Sequence, residues 1–162
     1  MKTGIYAGSF DPITLGHIDI IERASKMVDL LLICVMYNPN KKSPLFEIEQ
    51  RLDLIRQSLT HVNNIKIEKH SGLLVEYAKK TQATINVRGL RTLTDFEYEM
   101  QMAQINKTLY DEMETIFLIS NPKYSFISSS GVRELVIFNG KIDNFVPKIV
   151  LEAIHQITRK KR

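Results

Sequence analysis

The chain has 162 residues, 44% hydrophobic and 25% charged, with seven glycines and five prolines; this suits a single globular domain over 1–162 and excludes collagen-like, low-complexity and strongly disordered readings. Its formal net charge of +4 comes from a basic tail, Arg159, Lys160, Lys161 and Arg162, without which 18 basic residues face 18 acidic ones, so the body lacks the basic excess of a nucleic-acid-binding domain. No apolar run approaches the roughly 18 to 20 residues of a membrane span, and the start MKTGIYAGSF has no apolar stretch ahead of a small-residue cleavage site.

Alternating strand and helix patterns follow one another along the chain. Ile5–Ala7 opens as a short strand, and Ile18, Ile21 and Ala24 mark one face of a first helix. The unbroken apolar run Leu30–Met36 reads as a strand covered on both sides. It contains the lone cysteine, Cys34, which excludes an intramolecular disulfide and a cysteine zinc site and fits a reducing cytoplasm. Ile48, Leu52, Ile55 and Leu59 step by four, three and four, a helical stripe. Further strands are expected at Ile65–Glu68, Thr84–Val87 and Thr115–Ile119. Helices are expected at Leu73–Lys80, at Asp95–Leu109, and at Gly131–Phe138, which ends on Asn139-Gly140. Pro147 suits the first turn of a last helix with Val150, Ile154 and Ile157 inward. This alternation predicts an α/β, Rossmann-like, doubly wound five-stranded parallel sheet with helices on both faces and further helices at the C-terminus.

Ligands of such sheets bind beyond the carboxyl ends of the strands, where the strand order reverses. The loops there read GSFDPITLGH, NPNKKSP, HSGL, RGLRT and SNPKYSFISSS. All are rich in small, hydroxyl-bearing or basic residues, and none holds two closely spaced carboxylates. In the first, a glycine ends the strand, Asp11-Pro12 sets a turn, and Gly16-His17 opens a helix whose N–H groups suit phosphate. The plain alternative is a tight turn with a surface histidine. Lys41-Lys42 reads either as a solvated pair or as a flexible ammonium beside a moving phosphate charge. Arg88 and Arg91 read as a charged turn or as a bidentate phosphate grip. Asp95 and Glu99 share a helix face, and Ser128, Ser129 and Ser130 precede a helix that needs an N-cap. No P-loop or GxGxxG fingerprint occurs, and His61, His70 and His155 have no metal-binding spacing.

Taken together, Thr14-Leu15-Gly16-His17, Asn86-Val87-Arg88-Gly89-Leu90-Arg91, Asp95-Phe96-Glu97-Tyr98-Glu99-Met100 and Ser125-Phe126-Ile127-Ser128-Ser129-Ser130 resemble the bacterial pantetheine-phosphate adenylyltransferases among the T/HxGH nucleotidyltransferases. The likeness spans essentially the whole chain, and four motifs in order make it specific. It implies adenylyl transfer from ATP to 4′-phosphopantetheine, giving dephospho-coenzyme A and pyrophosphate. His17 and Lys41 would be catalytic, His17 steadying charge on the α-phosphate and Lys41 bridging the reacting groups. ATP would meet Ser9, Phe10, His17, Gly89, Leu90, Arg91, Glu99 and the run Tyr124, Ser125, Phe126, Ile127, Ser128, Ser129 and Ser130. Phosphopantetheine would meet Ser9, Lys41, Leu73, Leu74 and Arg88; from the sequence alone, Leu73 and Leu74 read as core.

The resemblance further implies Mg²⁺ arriving with ATP and no protein metal site, coenzyme A as inhibitor, a homohexamer, and no nucleic-acid or membrane partner. The attacking phosphate, with a second pKa near 6, is already largely dianionic at neutral pH. No general base is then required. Three alternatives stay open: a sibling enzyme acting on nicotinate mononucleotide or glycerol phosphate, a nucleic-acid-binding module using the tail, and a non-catalytic relative.

Overall fold

The computed structural model describes residues 1–37 and 43–160. Five strands, β1 (Thr3–Gly8), β2 (Leu30–Met36), β3 (Ile65–His70), β4 (Ile85–Leu90) and β5 (Glu114–Ile119), form one parallel sheet in the order β3-β2-β1-β4-β5. Between and after them lie α1 (Leu15–Ser25), α2 (Ile48–Ser58), α3 (Leu74–Thr81), α4 (Leu93–Leu109), α5 (Ser129–Ile137) and α6 (Lys148–Lys160), with a 3-10 turn at Pro122–Tyr124.

The unbroken apolar run of β2 exists because helices cover both faces of the sheet. Leu31, Ile33 and Val35 pack with Ile20 and Ile21 of α1, Leu52 and Ile55 of α2, Val132 of α5 and Val150 and Ile154 of α6. Their neighbours Leu32 and Cys34 point the other way, against Val75, Tyr77 and Ala78 of α3 and Met113. Helix α4 has no such stripe. Only Asn106 along its length is buried, while Leu93, Tyr98, Ile105 and Leu109 remain exposed.

The position of the site follows from one discontinuity in the sheet. Strand β1 pairs with β2 as far as Gly8↔Val35, and β4 pairs with β5 as far as Leu90↔Ile119. Their mutual ladder runs only from Gly4↔Ile85 to Tyr6↔Val87. Beyond that point the two central strands part. The connections also reverse direction between β1 and β4, so the gap is the crevice where ligands of open α/β sheets bind.

Some boundaries differ from expectation for identifiable reasons. Arg88, Gly89 and Leu90 belong to β4 rather than to the loop beyond it, because β5 keeps pairing with them after β1 has left. Helix α5 starts at Ser129, two residues early, since Ser128 takes the cap by accepting from the Gly131 N–H at 3.0 Å. At its far end Asn139 supplies the left-handed turn (φ 55°). Gly140 lets the chain pass close to Leu135: a Cβ there would lie 2.9 Å from the terminal Cδ2 methyl, which would have to turn away. Pro147 stands just before α6 and its carbonyl accepts from Val150 and Leu151, each at 3.0 Å.

Candidate active site

The loop after β1 is held from below. Phe10 adopts a left-handed backbone (φ 45°) that turns its ring into the core, where it is 1% exposed. The ring meets Tyr6 edge-on at 5.6 Å and His17 at 5.1 Å between centroids. The buried Asp11 carboxylate accepts from the Leu45 and Phe46 N–H groups, both at 2.9 Å. Arg51 donates to the Phe46 carbonyl at 2.7 Å and the Ser9 carbonyl at 3.2 Å. These bonds tie the loop to the segment that leads into α2.

Thr14 caps α1, and its partner in the capping box is His17, the third helical residue. The Thr14 N–H donates to His17 Nδ1 at 3.0 Å, and the Thr14 hydroxyl, also 3.0 Å from Nδ1, accepts from the His17 N–H. An Nδ1 that accepts a backbone N–H carries no proton, so in neutral imidazole the hydrogen sits on Nε2. Burial, followed by the positive charges of Arg91 and Arg88, lowers the His17 pKa to about 4. His17 is therefore an uncharged donor at neutral pH.

Across the gap, Arg88 bridges the parted strands. Its Nη1 donates to the Ala7 carbonyl at 2.6 Å, just past the last β1–β4 ladder pair. Its Nε donates to Glu99 at 2.7 Å, and Nη2 completes a bidentate pair with the same carboxylate. Burial alone would lower the Arg88 pKa, but the hydrogen bonds and charge of Glu99 outweigh it and the pKa rises. Arg91 makes a second fork, with Nε 3.0 Å and Nη2 3.2 Å from Asp95, and its Nη1 donates to the Ile127 carbonyl at 3.3 Å. Gly89 sits between them for packing reasons: a Cβ would come within 3.0 Å of Ile20. Beneath lies Tyr6, its hydroxyl pushed up to about 12 chiefly by burial; it stays protonated.

The third wall is the start of α5. Ser129 donates its hydroxyl to the Pro12 carbonyl at 2.8 Å. Arg133 donates to the Asp11 carbonyl at 2.7 Å and to Ser130 Oγ at 2.9 Å. Because Ser130 Oγ accepts there, its own hydrogen is free to turn toward the cleft. Of the first-turn N–H groups, that of Leu15 goes to the Phe145 carbonyl and those of His17 and Gly131 to their capping hydroxyls; those of Gly16 in α1 and of Ser129 and Ser130 in α5 remain, and both helices open on this space.

The result is a cleft of about 330 Å³, within the range of small-molecule sites. Of the residues singled out from sequence, Ser9, His17, Arg88, Gly89, Arg91, Glu99, Tyr124, Ile127, Ser128, Ser129 and Ser130 line it. Phe10 does not line the cleft, its ring being turned into the core. Leu90 and Ser125 do not line the cleft, and Phe126 is 68% exposed beside Phe145, outside it. Leu73 is 56% exposed before α3, and Leu74 packs toward the α3 core. Lys41 and Lys42 lie outside the described residues. Sequence reasoning missed Tyr6, Ala7, Ile20, Ser120 and Arg133 as lining residues, and it read Asp95 as structural although it too lines the cleft. Arg133 could have been found, since it stands three residues after Ser130 and so on the same helix face.

Among the described residues the cleft holds no activated nucleophile beside a base, and no group of three or more His, Cys, Asp or Glu suited to a metal ion. Its chemistry is a fixed array of donors and cations, fit to bind anions and to steady charge that develops on them.

Comparison with known proteins gives the chain its family. Residues 5–135 match the model of the cytidylyltransferase-like family. The phosphopantetheine adenylyltransferase of Alkaliphilus metalliredigens is 51% identical over 154 residues, covering 95% of this chain and 98% of that protein. That of Clostridium perfringens (strain ATCC 13124) is 46% identical over 156 residues, 96% and 94% of the two chains. Among solved structures, a candidate nicotinate-nucleotide adenylyltransferase from Vibrio parahaemolyticus superposes with a TM-score of 0.70 at 20% identity, covering 95% of this chain and 99% of that one. At that identity the likeness is one of fold.

Proposed function

The chain belongs to the phosphopantetheine adenylyltransferases of the cytidylyltransferase-like family, and from that premise we propose that its cleft joins ATP to 4′-phosphopantetheine, giving dephospho-coenzyme A and pyrophosphate. One observation carries the chemistry: the Nε2–H of an uncharged His17, two forked arginines and two helix N-termini meet where β1 and β4 part. The acceptor's identity rests on the relatives.

The nucleophile is a phosphate-ester oxygen, already dianionic at neutral pH. It attacks the α-phosphorus of ATP, an oxygen–phosphorus bond forms in line as the bond to the departing pyrophosphate breaks, and no proton must be removed first. The barrier is the mutual repulsion of two anions. Positioning is worth roughly 7 to 11 kcal/mol in favourable systems, and fixed donors add to it. His17 donates Nε2–H to an α-phosphate oxygen. Arg88 has spent N–H groups on Glu99 and Ala7, and what remains of its five donors serves the acceptor phosphate. Arg91, Ser129 and Ser130 receive the leaving pyrophosphate, with Arg133 as the additional cation. Lys41 is assigned to bridging the reacting groups by resemblance.

Mg²⁺ would enter as the counter-ion of ATP, held by phosphate oxygens and water. The cleft carboxylates fit that arrangement, since Asp95 and Glu99 are committed to guanidinium groups and leave no cage for a cation. Coenzyme A, which contains the product's structure, would compete for the same cleft. We assign the chain to the cytoplasm, in keeping with the free buried thiol of Cys34; no described helix is long and apolar enough to cross a membrane. A homohexamer is proposed from the family resemblance. The exposed apolar outer side of α4 and the edge position of β5 support self-association; light scattering should give a mass near six times 18.7 kDa.

The test is an acceptor panel. The purified chain with ATP and Mg²⁺ is offered 4′-phosphopantetheine, nicotinate mononucleotide or glycerol phosphate, and pyrophosphate release is measured. Release with phosphopantetheine at least 100-fold above the others is expected, about 3 kcal/mol of discrimination. Preference for either other acceptor overturns the assignment.

A further inference from the structure

Asp95 and Glu99 stand four residues apart on one face of α4 and line the cleft. Facing them, Arg88 and Arg91 stand at the end of β4. Each carboxylate meets one guanidinium and meets it side-on: both Glu99 oxygens go to Arg88 Nε and Nη2, and both Asp95 oxygens go to Arg91 Nε and Nη2. Asp95 also accepts the Arg91 backbone N–H at 3.2 Å. The Glu99 side chain is 12% exposed and that of Asp95 25%. Bare carboxylates in a site for polyanions would repel both substrates. Spent on forks, they trade charge for orientation, because an Nε–Nη2 pair fixes the guanidinium plane and leaves only the Nη1 side and the outer Nη2 hydrogen to a ligand.

The two arginines are long, flexible and close in sequence. Left free, either could reach for either phosphate group. The forks give them different anchors on the cleft's other walls: Arg88 is completed by Ala7 of β1, and Arg91 by the carbonyl of Ile127, ahead of α5. We propose that Glu99 and Asp95 are positioning residues that assign one arginine to each substrate, Glu99 acting through Arg88 on the phosphopantetheine side and Asp95 acting through Arg91 on the ATP side. This rests on the reading of the cleft given above, and gives Glu99 a role other than direct contact with ATP.

Initial-rate kinetics on the full chain, varying each substrate in turn, test it with E99Q, D95N, R88A and the double variant E99Q/R88A. E99Q should raise KM for phosphopantetheine roughly tenfold, the loss of one charge-assisted hydrogen bond, while KM for ATP stays within about twofold. D95N should do the reverse. In the R88A background E99Q should add less than about twofold, because its only route of action is gone. Thermal unfolding of each variant, measured alongside, establishes that it is folded at the assay temperature; a lower midpoint is expected for E99Q and R88A, each of which leaves one charge of the largely buried pair without its partner.

The proposal is overturned if E99Q raises KM for ATP instead, if it raises both equally, or if it adds its full effect to R88A. Should E99Q or E99Q/R88A fail to fold, D95N alone decides, and a KM for ATP unchanged from wild type overturns the proposal. A wild-type chain that makes no dephospho-coenzyme A is a distinct result, which refutes the proposed function and this inference with it.

Discussion

Lowering the pH from 7.5 to 5.5 should destabilise the protein through His17 in a calculable way. The unfolded chain takes up this proton near pH 6.5, whereas in the folded state burial, with Arg91 and Arg88 nearby, delays it to about 4. Between those values the unfolded chain binds more protons, so stability is intact above about 6.5 and falls as pH drops. At pH 5.5 the loss works out at about 1.4 kcal/mol, rising to about 3 kcal/mol below pH 4. Urea unfolding of wild type and H17Q at pH 7.5 and 5.5 isolates it, since Gln at position 17 can accept the Thr14 N–H but cannot titrate. Equal protein concentration cancels assembly effects. Wild type should lose about 1 kcal/mol more than H17Q. The ring carbons of labelled His17 should likewise show no titration above pH 5. A midpoint near 6.5, or equal losses in the two proteins, refutes the half-buried, Nδ1-accepting geometry.

Two substitutions probe other parts of the site. H17A should lower kcat by on the order of 10² or more with a modest change in KM for ATP, as removal of one transition-state donor does; turnover within a few-fold of wild type would mean His17 is misassigned. G89A forces a Cβ to within 3.0 Å of the buried Ile20 and should cost roughly 1 to 3 kcal/mol of stability, read as a lower unfolding midpoint; an unchanged midpoint would mean that α1 shifts away freely.

The fold is legible wherever burial is local. Leu30–Met36 reads correctly end to end because both faces of β2 are covered, and the α2 stripe because Leu52 and Ile55 point one way. The site is legible where the chain itself brings groups together, as in Thr14 to His17 within one helical turn. What sequence does not carry is the partnership between distant elements. Nothing near Arg88 announces that Ala7 lies across a gap, because the gap depends on β1 and β4 ceasing to pair after Tyr6↔Val87. Phe10 reads as a ligand contact by motif, yet a single left-handed residue turns its ring inward. Glu99 and Asp95 read only as two carboxylates sharing a helix face, and their arginine partners appear once α4 is set beside the end of β4.

The proposed reaction is carried by positioned donors with no base from the protein, and the pH dependence of kcat/KM for phosphopantetheine tests this most directly. The rate should rise up to about pH 6, following the second ionisation of the substrate's own phosphate, and then stay level to pH 8, with H17A giving the same shape at a lower height. A further rising limb near pH 7, present in wild type and absent from H17A, would make His17 a general base and contradict the account.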